Sequence, residues 1–406
     1  MKWITVTAIL AVSSSLDGQD LTRAGQIRAD RDRKVETLHA EVPSKTEQRL
    51  NWVKDAGVLE RYSEGFHGLR LKVGGLAPGG GFAVGPEFSR EGLWGGRLNF
   101  RAGTQGSTRG YRKQDLHIAM PAFLHERISL DFYAVHHNYP GLNYYGSGSD
   151  SERGGRSNYR LEDTALDATL TFEILPRLRA GGSAGYVFNN IGPGTDSRFI
   201  SSERIHATPG MDRQSNFQRT GAFIQYDRRD FAPGPRSGGN YVVQFHKFSD
   251  RTLNQHDFNR LDLEAQQYIP LFNKRRVIAL RAKSITTFTG DGSSVPFYMQ
   301  PALGGSDDLR GYRPFRFRGD NLLVMNAEYR WEVFSGLDMA LFGDAGKVYA
   351  RKSELNLKNL ESNVGFGFRF NARNAVFMRI DVGLSHVGYQ VSVKFNDLFR
   401  RGPVHT

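Results

Sequence analysis

Arg310 stands in the segment Gly304-Gly305-Ser306-Asp307-Asp308-Leu309-Arg310-Gly311-Tyr312, flanked by glycine and large apolar residues in an otherwise polar stretch. Two acids downstream are placed to meet it. Glu328, with Asn326 and Arg330 around it, and Asp344, in Phe342-Gly343-Asp344-Ala345-Gly346, lie in segments that alternate apolar and polar residues. In a strand such spacing sends both acids to the polar face. A guanidinium is a planar fork of donors that matches a carboxylate. If the segment folds back over those strands, Arg310 can pair with Asp344 or Glu328. The alternative is a solvated loop arginine.

Other constellations carry less. Gly181-Gly182-Ser183-Ala184-Gly185 has the spacing of a hydrolase nucleophile turn, but that chemistry needs a sharp strand-to-helix turn and a downstream acid and histidine. Here the motif lies inside an alternating stretch, Leu178 to Phe188, with no helical pattern after it. His136 and His137 are adjacent, so in a strand they point to opposite faces and cannot share one metal. Asp291-Gly292-Ser293 lacks the acid ladder of a calcium loop, and no phosphate-cradling motif is present. The expectation is a protein with no catalytic residue, no metal and no cofactor.

The elements that must position Arg310 and its acids follow from composition and period. Glycine makes up 46 of 406 residues, against a usual share of about 7%. Phenylalanine and tyrosine are plentiful, at 28 and 16, and cysteine is absent. A secreted chain without cysteine needs something other than disulfides to hold it, and a closed barrel is one answer. The net charge of +12 is spread through alternating segments such as Phe368-Arg369-Phe370 and Met378-Arg379-Ile380. That distribution fits a polar lumen or a solvated face better than a nucleic-acid footprint.

Lys2, the apolar run Trp3 to Val12 and Ser13-Ser14-Ser15 fit a secretory signal peptide over residues 1–18. The run is too short to cross a bilayer as a helix, which takes about twenty residues. Residues 19–67 are highly charged. Ser44-Lys45-Thr46-Glu47 forms a capping box before helically spaced Trp52, Ala56 and Leu59, which predicts one short periplasmic helix over Lys45 to Tyr62.

From Gly68 the period becomes two. Val364, Phe366, Phe368 and Phe370 alternate with Asn363, Gly365, Gly367, Arg369 and Asn371, and Tyr389, Val391, Val393 and Phe395 with Gln390, Ser392, Lys394 and Asn396. Such segments run to about ten residues, the length of a tilted membrane strand, with one apolar face and one polar face. The pattern predicts an all-β protein: a sixteen-stranded antiparallel transmembrane barrel. Strand starts are expected near residues 68, 79, 93, 109, 126, 158, 177, 216, 238, 257, 275, 321, 337, 361, 375 and 388. The long links Asn138–Ser157, Asn190–Ser215 and Thr289–Asp320 all fall at odd positions, and short ones such as Leu175-Pro176 and Phe334-Ser335-Gly336 at even positions, as bacterial barrels require.

Leu309-Arg310-Gly311-Tyr312 after Gly304-Gly305 resembles the Arg-Gly-aromatic loop signature of the bacterial surface antigen family, the BamA/TamA-like outer-membrane assembly barrels. Tyr226-Asp227-Arg228-Arg229-Asp230 followed by Pro235-Arg236-Ser237-Gly238-Gly239 resembles that family's turn, and Phe342 to Gly346 its Asp-bearing strand. The end, with Val391, Val393, Phe395 and Phe399, resembles its C-terminal assembly signal. The resemblance covers about residues 216–399 well and the first half by pattern alone.

It implies a barrel over 68–399, with a weakly paired seam between first and last strands and a C-terminal extension over 400–406. It implies a signature loop in the lumen, whose Arg310 is held by Asp344 and Glu328. The implied setting is the outer membrane of a Gram-negative bacterium, with lipid, lipopolysaccharide, and periplasmic or client barrel proteins as partners, and no nucleic acid. Two features depart from the family. The 19–67 segment is too short for a POTRA module, and residues follow Phe399 where many barrels stop at the aromatic. The other function open to such a chain is a passive pore with an anion-favouring lumen.

Overall fold

The structure is a computed structural model describing residues 67–395 apart from 78, 206–207, 273, 335 and 373–374. The expected signal peptide, the Lys45–Tyr62 helix, Phe399 and the 400–406 extension lie outside the described residues. The strands, in chain order, are β1 (Leu69–Gly74), β2 (Ala83–Gly92), β3 (Leu98–Ser107), β4 (Arg112–Met120), β5 (Ile128–Tyr144) and β6 (Ser157–Leu175). They continue with β7 (Leu178–Pro193), β8 (Phe217–Asp227), β9 (Gly238–Asp250), β10 (Phe258–Leu271), β11 (Arg276–Thr289) and the two-residue β12 (Ala302–Leu303) and β13 (Phe317–Arg318). The last are β14 (Asn321–Phe334), β15 (Leu337–Tyr349), β16 (Glu361–Ala372), β17 (Ala375–Ser385) and β18 (Gly388–Lys394).

Sixteen of these form one sheet in sequence order, while β12 and β13 pair with each other inside the connection 290–320. Each strand is antiparallel to the next, as in β10 with β11 and β14 with β15. The sheet curls into a nearly closed barrel. Among the described residues no ladder joins β1 to β18. The two edges still come near each other, since a Cβ on Gly74 would lie 3.8 Å from the Phe395 ring.

Burial is reversed relative to a water-soluble sheet. Outward side chains are large, apolar and uncovered, among them Leu341 at 53% exposure and Val364 at 63%. Inward ones on the same strands, Asp344, Asn363 and Arg369, are buried. Apolar positions stay outside because hydrocarbon, unlike water, does not penalise them, and away from the two edge strands the backbone pairs across ladders to neighbouring strands.

Three local departures from the sequence expectation have physical reasons. The third strand starts at Leu98 rather than near 93, because Leu93–Gly96 makes a tight turn with left-handed Trp94 (φ 54°) and Gly95 (φ 69°). The link expected from Asn138 is strand over its first seven residues: β5 runs on to Tyr144, which pairs with Ser157 of β6, the register shifting between Tyr139 and Leu142 at Pro140-Gly141. A bulge there absorbs the proline that period-two reading takes as a stop. The edge strands fall short of ten residues, β1 having 6 and β18 having 7. Beyond Gly74 the glycine-rich run to Gly81 does not favour extended pairing.

The connection 290–320 folds into the barrel and packs on two opposite stretches of wall. Its Val295, Phe297 and Tyr298 join Tyr144, Tyr159, Phe217, Phe248 and Phe258. The Phe297 ring lies 4.9 Å from Tyr159 and 5.1 Å from Tyr144. Its Leu303, Leu309, Tyr312 and Phe317 join Leu322, Val324 and Val348. Burying each such large side chain is worth about 1.5–3 kcal/mol, so the connection is held as part of the core.

Candidate functional site in the barrel lumen

Period-two geometry puts Asn326, Glu328 and Arg330 of β14, Phe342 and Asp344 of β15, Asn363 and Arg369 of β16, and Arg379 and Asp381 of β17 on one inward face. The register brings Asn326 directly opposite Asp344, Asp344 opposite Asn363, and Arg369 opposite Arg379. Arg310 enters this patch from the folded-in connection.

The Arg310 guanidinium forks onto Asp344, Nε donating to Oδ2 at 2.9 Å and Nη2 to Oδ1 at 2.6 Å, and its backbone N–H donates to Oδ2 at 3.2 Å. Its Nη1 donates to Glu328 Oε1. Below it, the Phe342 ring centre is 3.4 Å from Cζ, close enough for the ring's negative face to add to the hold. Arg310, Asp344 and Glu328 side chains are fully shielded from solvent. Asn326 Nδ2 and Asn363 Nδ2 donate to the two Asp344 oxygens at 2.8 and 2.9 Å. Each of the three guanidinium nitrogens has a carboxylate acceptor, which is what makes a charge tolerable there.

The acids are shared further. Glu328 also accepts from Arg330 Nε at 2.6 Å and Arg369 Nη2 at 2.8 Å. Asp381 holds the juxtaposed Arg369 and Arg379, each at 2.6 Å, so two like charges placed opposite one another are bridged by one carboxylate. Arg379 Nη2 donates to Ser306 O at 2.8 Å and Asp307 Oδ1 at 2.9 Å. Arg281 Nη1 donates to Asp307 O at 3.0 Å and Asp308 Oδ1 at 3.2 Å. The connection is thus tied down just ahead of Arg310, at residues 306–308, by arginines of β11 and β17.

Its backbone needs flat ground. A Cβ on Gly383 of β17 would come within 2.5 Å of the Arg310 carbonyl carbon and 2.6 Å of the Gly311 nitrogen. Gly304 and Gly305, at φ 111° and 99°, start the turn into the lumen, where L side chains are strained. Leu309 is buried among the apolar partners of the connection. Tyr312 donates its hydroxyl to Glu361 Oε2 at 2.7 Å and lies 3.1 Å from His386 Nδ1.

The Omp85 superfamily domain matches residues 94–396 of the chain, about three quarters of it. The chain belongs to the Omp85 superfamily. No curated protein sequence matches it. Among solved structures, BamA from Haemophilus ducreyi lacking POTRA domains 1-3 matches 80% of this chain and 69% of its own at 14% identity, with a TM-score of 0.59. CdiB from Escherichia coli matches 81% of this chain at 14% identity and a TM-score of 0.55, and the present chain spans 62% of it. At that identity the shared property is the barrel fold.

The remaining motifs of this Omp85 barrel fall into place around its rim and edge. Asp227 is clasped by Arg229 through Nε at 2.9 Å and Nη2 at 2.6 Å. Asp230 accepts from the backbone N–H groups of Arg236 and Ser237 at 3.0 and 3.1 Å and from Lys274 Nζ at 3.1 Å. Burial alone would raise the Asp230 carboxyl, but these donors outweigh it and bring it down to about 2. Arg236 reaches across to Asp338 at 3.1 Å, bracing this turn against the start of β15. Val391 and Val393 point outward on β18, opposite Val382 and Ile380, and the Phe395 ring packs edge-on to Phe377 at 5.9 Å.

Ser183 of the hydrolase-like motif sits mid-strand in β7, opposite Thr169 and Gly221. His136 and His137 take separate partners, Thr164 and Asp163. The sequence reading did not single out Asp381, Arg369, Arg379, Phe342 or Gly383 as parts of the site. The signal was present for the charged ones, which break apolar strands at every second position of adjoining segments. For Gly383 there was no signal, because a glycine that seats a distant backbone looks like any other.

Proposed function

We propose that the chain works in the outer membrane of a Gram-negative bacterium, where it assists other β-barrel proteins in entering that membrane or other polypeptides in crossing it. The observation that carries this reading is the junction of β1 and β18, two short edge strands without a shared ladder among the described residues. Unpaired N–H and C=O groups in hydrocarbon cost several kcal/mol each. An edge of that kind takes up an added strand. In this reading the Gly304–Tyr312 segment, fixed by Arg310 on Asp344 and Glu328, keeps the lumen occupied and the wall in shape. Val391, Val393, Phe395 and Phe399 serve as the signal by which the chain is itself assembled. Client capture falls to periplasmic partner proteins, with lipid and lipopolysaccharide around the barrel.

The test is to reconstitute the full chain in vesicles and add a urea-unfolded client barrel, with and without periplasmic extract, while following the client's heat-modifiable migration. Faster client folding than in empty vesicles supports the reading; no acceleration in either condition removes it. A passive pore is the second reading, favoured by a lumen cavity of about 500 Å³ lined in part by Lys113, Arg219, Arg260 and Arg318. Large, steady, anion-selective current in planar bilayers belongs to the pore, and absent or flickering current to the occupied barrel.

A further inference from the structure

We propose that the rim of short turns is a binding surface for anionic phospholipid headgroups. The chain carries a formal charge of +12, and the charges of the barrel are unevenly placed. The connections 93–97, 121–127, 176–177, 228–237 and 272–275 all open on one rim, and each carries at least one arginine. Their acids are Glu126 and Asp230 alone, and Asp230 is already engaged by Lys274. The opposite rim is nearly balanced: the connection 194–216 sets Asp196, Glu203 and Asp212 against Arg198, Arg204 and Arg213.

Large apolar side chains are interleaved with these cations. Trp94 and Leu124 are 77% exposed and Phe272 is 73% exposed. Arg276, at the foot of β11, lies with its guanidinium carbon 5.1 Å from the centre of the Phe272 ring. Arg97, Arg127, Arg177 and Arg275 are exposed, and no ion pair holds them among the described residues. Aromatic and aliphatic side chains beside cations at the end of a membrane wall fit the boundary where headgroups meet acyl chains. The distribution also selects the occupant. The cations recur from β2 round to β11, turn after turn, as an encircling lipid annulus requires; an acidic protein partner would call for one contiguous patch. A guanidinium takes a phosphate diester oxygen pair as it takes a carboxylate. This inference rests on the barrel spanning a membrane and not on the assembly role, so either can fail alone.

The test uses the full chain reconstituted in phosphatidylcholine vesicles with spin-labelled phosphatidylglycerol or spin-labelled phosphatidylcholine as probes of the boundary shell. The expected result is a preference for phosphatidylglycerol of about five-fold, the factor one engaged arginine supplies, falling as salt is raised. The quadruple variant Arg97→Gln, Arg127→Gln, Arg177→Gln, Arg275→Gln should lose most of it while still migrating as a folded barrel on an unheated gel. The corresponding lysine variant should keep it. A control with Arg204→Gln and Arg213→Gln on the other rim should keep it too. Equal association of the two probes with the unaltered protein overturns the proposal. So does a preference that survives the glutamine variant, or one that the control abolishes equally.

Discussion

The Arg310 guanidinium lies over the Phe342 ring, its Cζ 3.4 Å from the ring centre, and that ring in turn fills the space that a side chain at residue 365 would occupy: a Cβ on Gly365 would be 2.4 Å from Phe342 Cζ. A glycine on β16, an aromatic ring on β15 and a cation from the connection form one stack, capped by the carboxylates of Asp344 and Glu328. Each layer fixes the next. The arrangement predicts what happens when one layer is removed.

Arg310→Ala leaves Asp344 and Glu328 facing a void in the barrel, and Asp344→Ala leaves the guanidinium half unpaired. Breaking one partner of a buried pair costs about 3–5 kcal/mol. The double variant should cost less than the sum of the two, by about 0.5–3 kcal/mol. Urea unfolding of the reconstituted protein, read by tryptophan fluorescence, measures all three, and strict additivity would contradict direct coupling.

Gly383→Val should unseat the connection while leaving the wall intact, since the new side chain must displace the backbone of Arg310 and Gly311. Overpacking of this kind costs about 1–3 kcal/mol. Limited proteolysis should then cut within 290–320 in the variant and not in the parent, with unchanged β circular dichroism. Gly343→Ala is the contrast: its Cβ would have its nearest neighbour at 3.9 Å, and it should be silent in the same assay.

Asp230 gives the barrel an acid-sensitive fastening. Its carboxyl titrates at about 2 when folded, below the 3.8 of an unperturbed aspartate, so the unfolded chain binds the proton first as pH falls. The stabilisation is therefore whole above pH 4 and drains away between there and 2. Asp230→Asn should be less stable than the parent at neutral pH and lose less on acidification across that window. Unfolding midpoints collected from pH 7 to pH 2 would show the two curves converging; parallel curves would contradict the assignment.

The chain has no cysteine of its own, so the paired substitutions Gly74→Cys and Phe395→Cys can probe the edge cleanly. Oxidation should yield a cross-linked species with altered mobility on a non-reducing gel. If strand uptake at this edge is the working step, the cross-link should abolish acceleration of client folding and a reductant should restore it.

How much of this was readable beforehand divides along a physical line. Strand order and the inward placement of Glu328 and Asp344 follow from period two, a local property that each strand announces by itself. The extent of β5 does not, because Pro140-Gly141 ends a pattern that a bulge in the three-dimensional ladder carries onward. Nor does the burial of Arg310. An arginine in a polar segment becomes a core residue only because Gly383, Phe342 and two acids from three different strands converge on it. Such convergence is set by closure of the sheet, which no short stretch of sequence encodes. The resemblance to the bacterial surface antigen family supplied the loop's lumenal position where the residues alone left two options.

The connection 290–320 grips the wall at two places: Phe297 among rings borne by β5, β6, β8, β9 and β10, and Arg310 among carboxylates of β14, β15 and β17. Between those two grips runs a fixed length of chain, whose extension cannot exceed about 3.3–3.6 Å per residue. The segment is therefore a tether across the bore. A sheet that gains strands at its open edge grows in girth, and beyond the tether's slack one grip or the other must let go. If client strands add at that edge as proposed, widening of the barrel and release of the connection would be a single event.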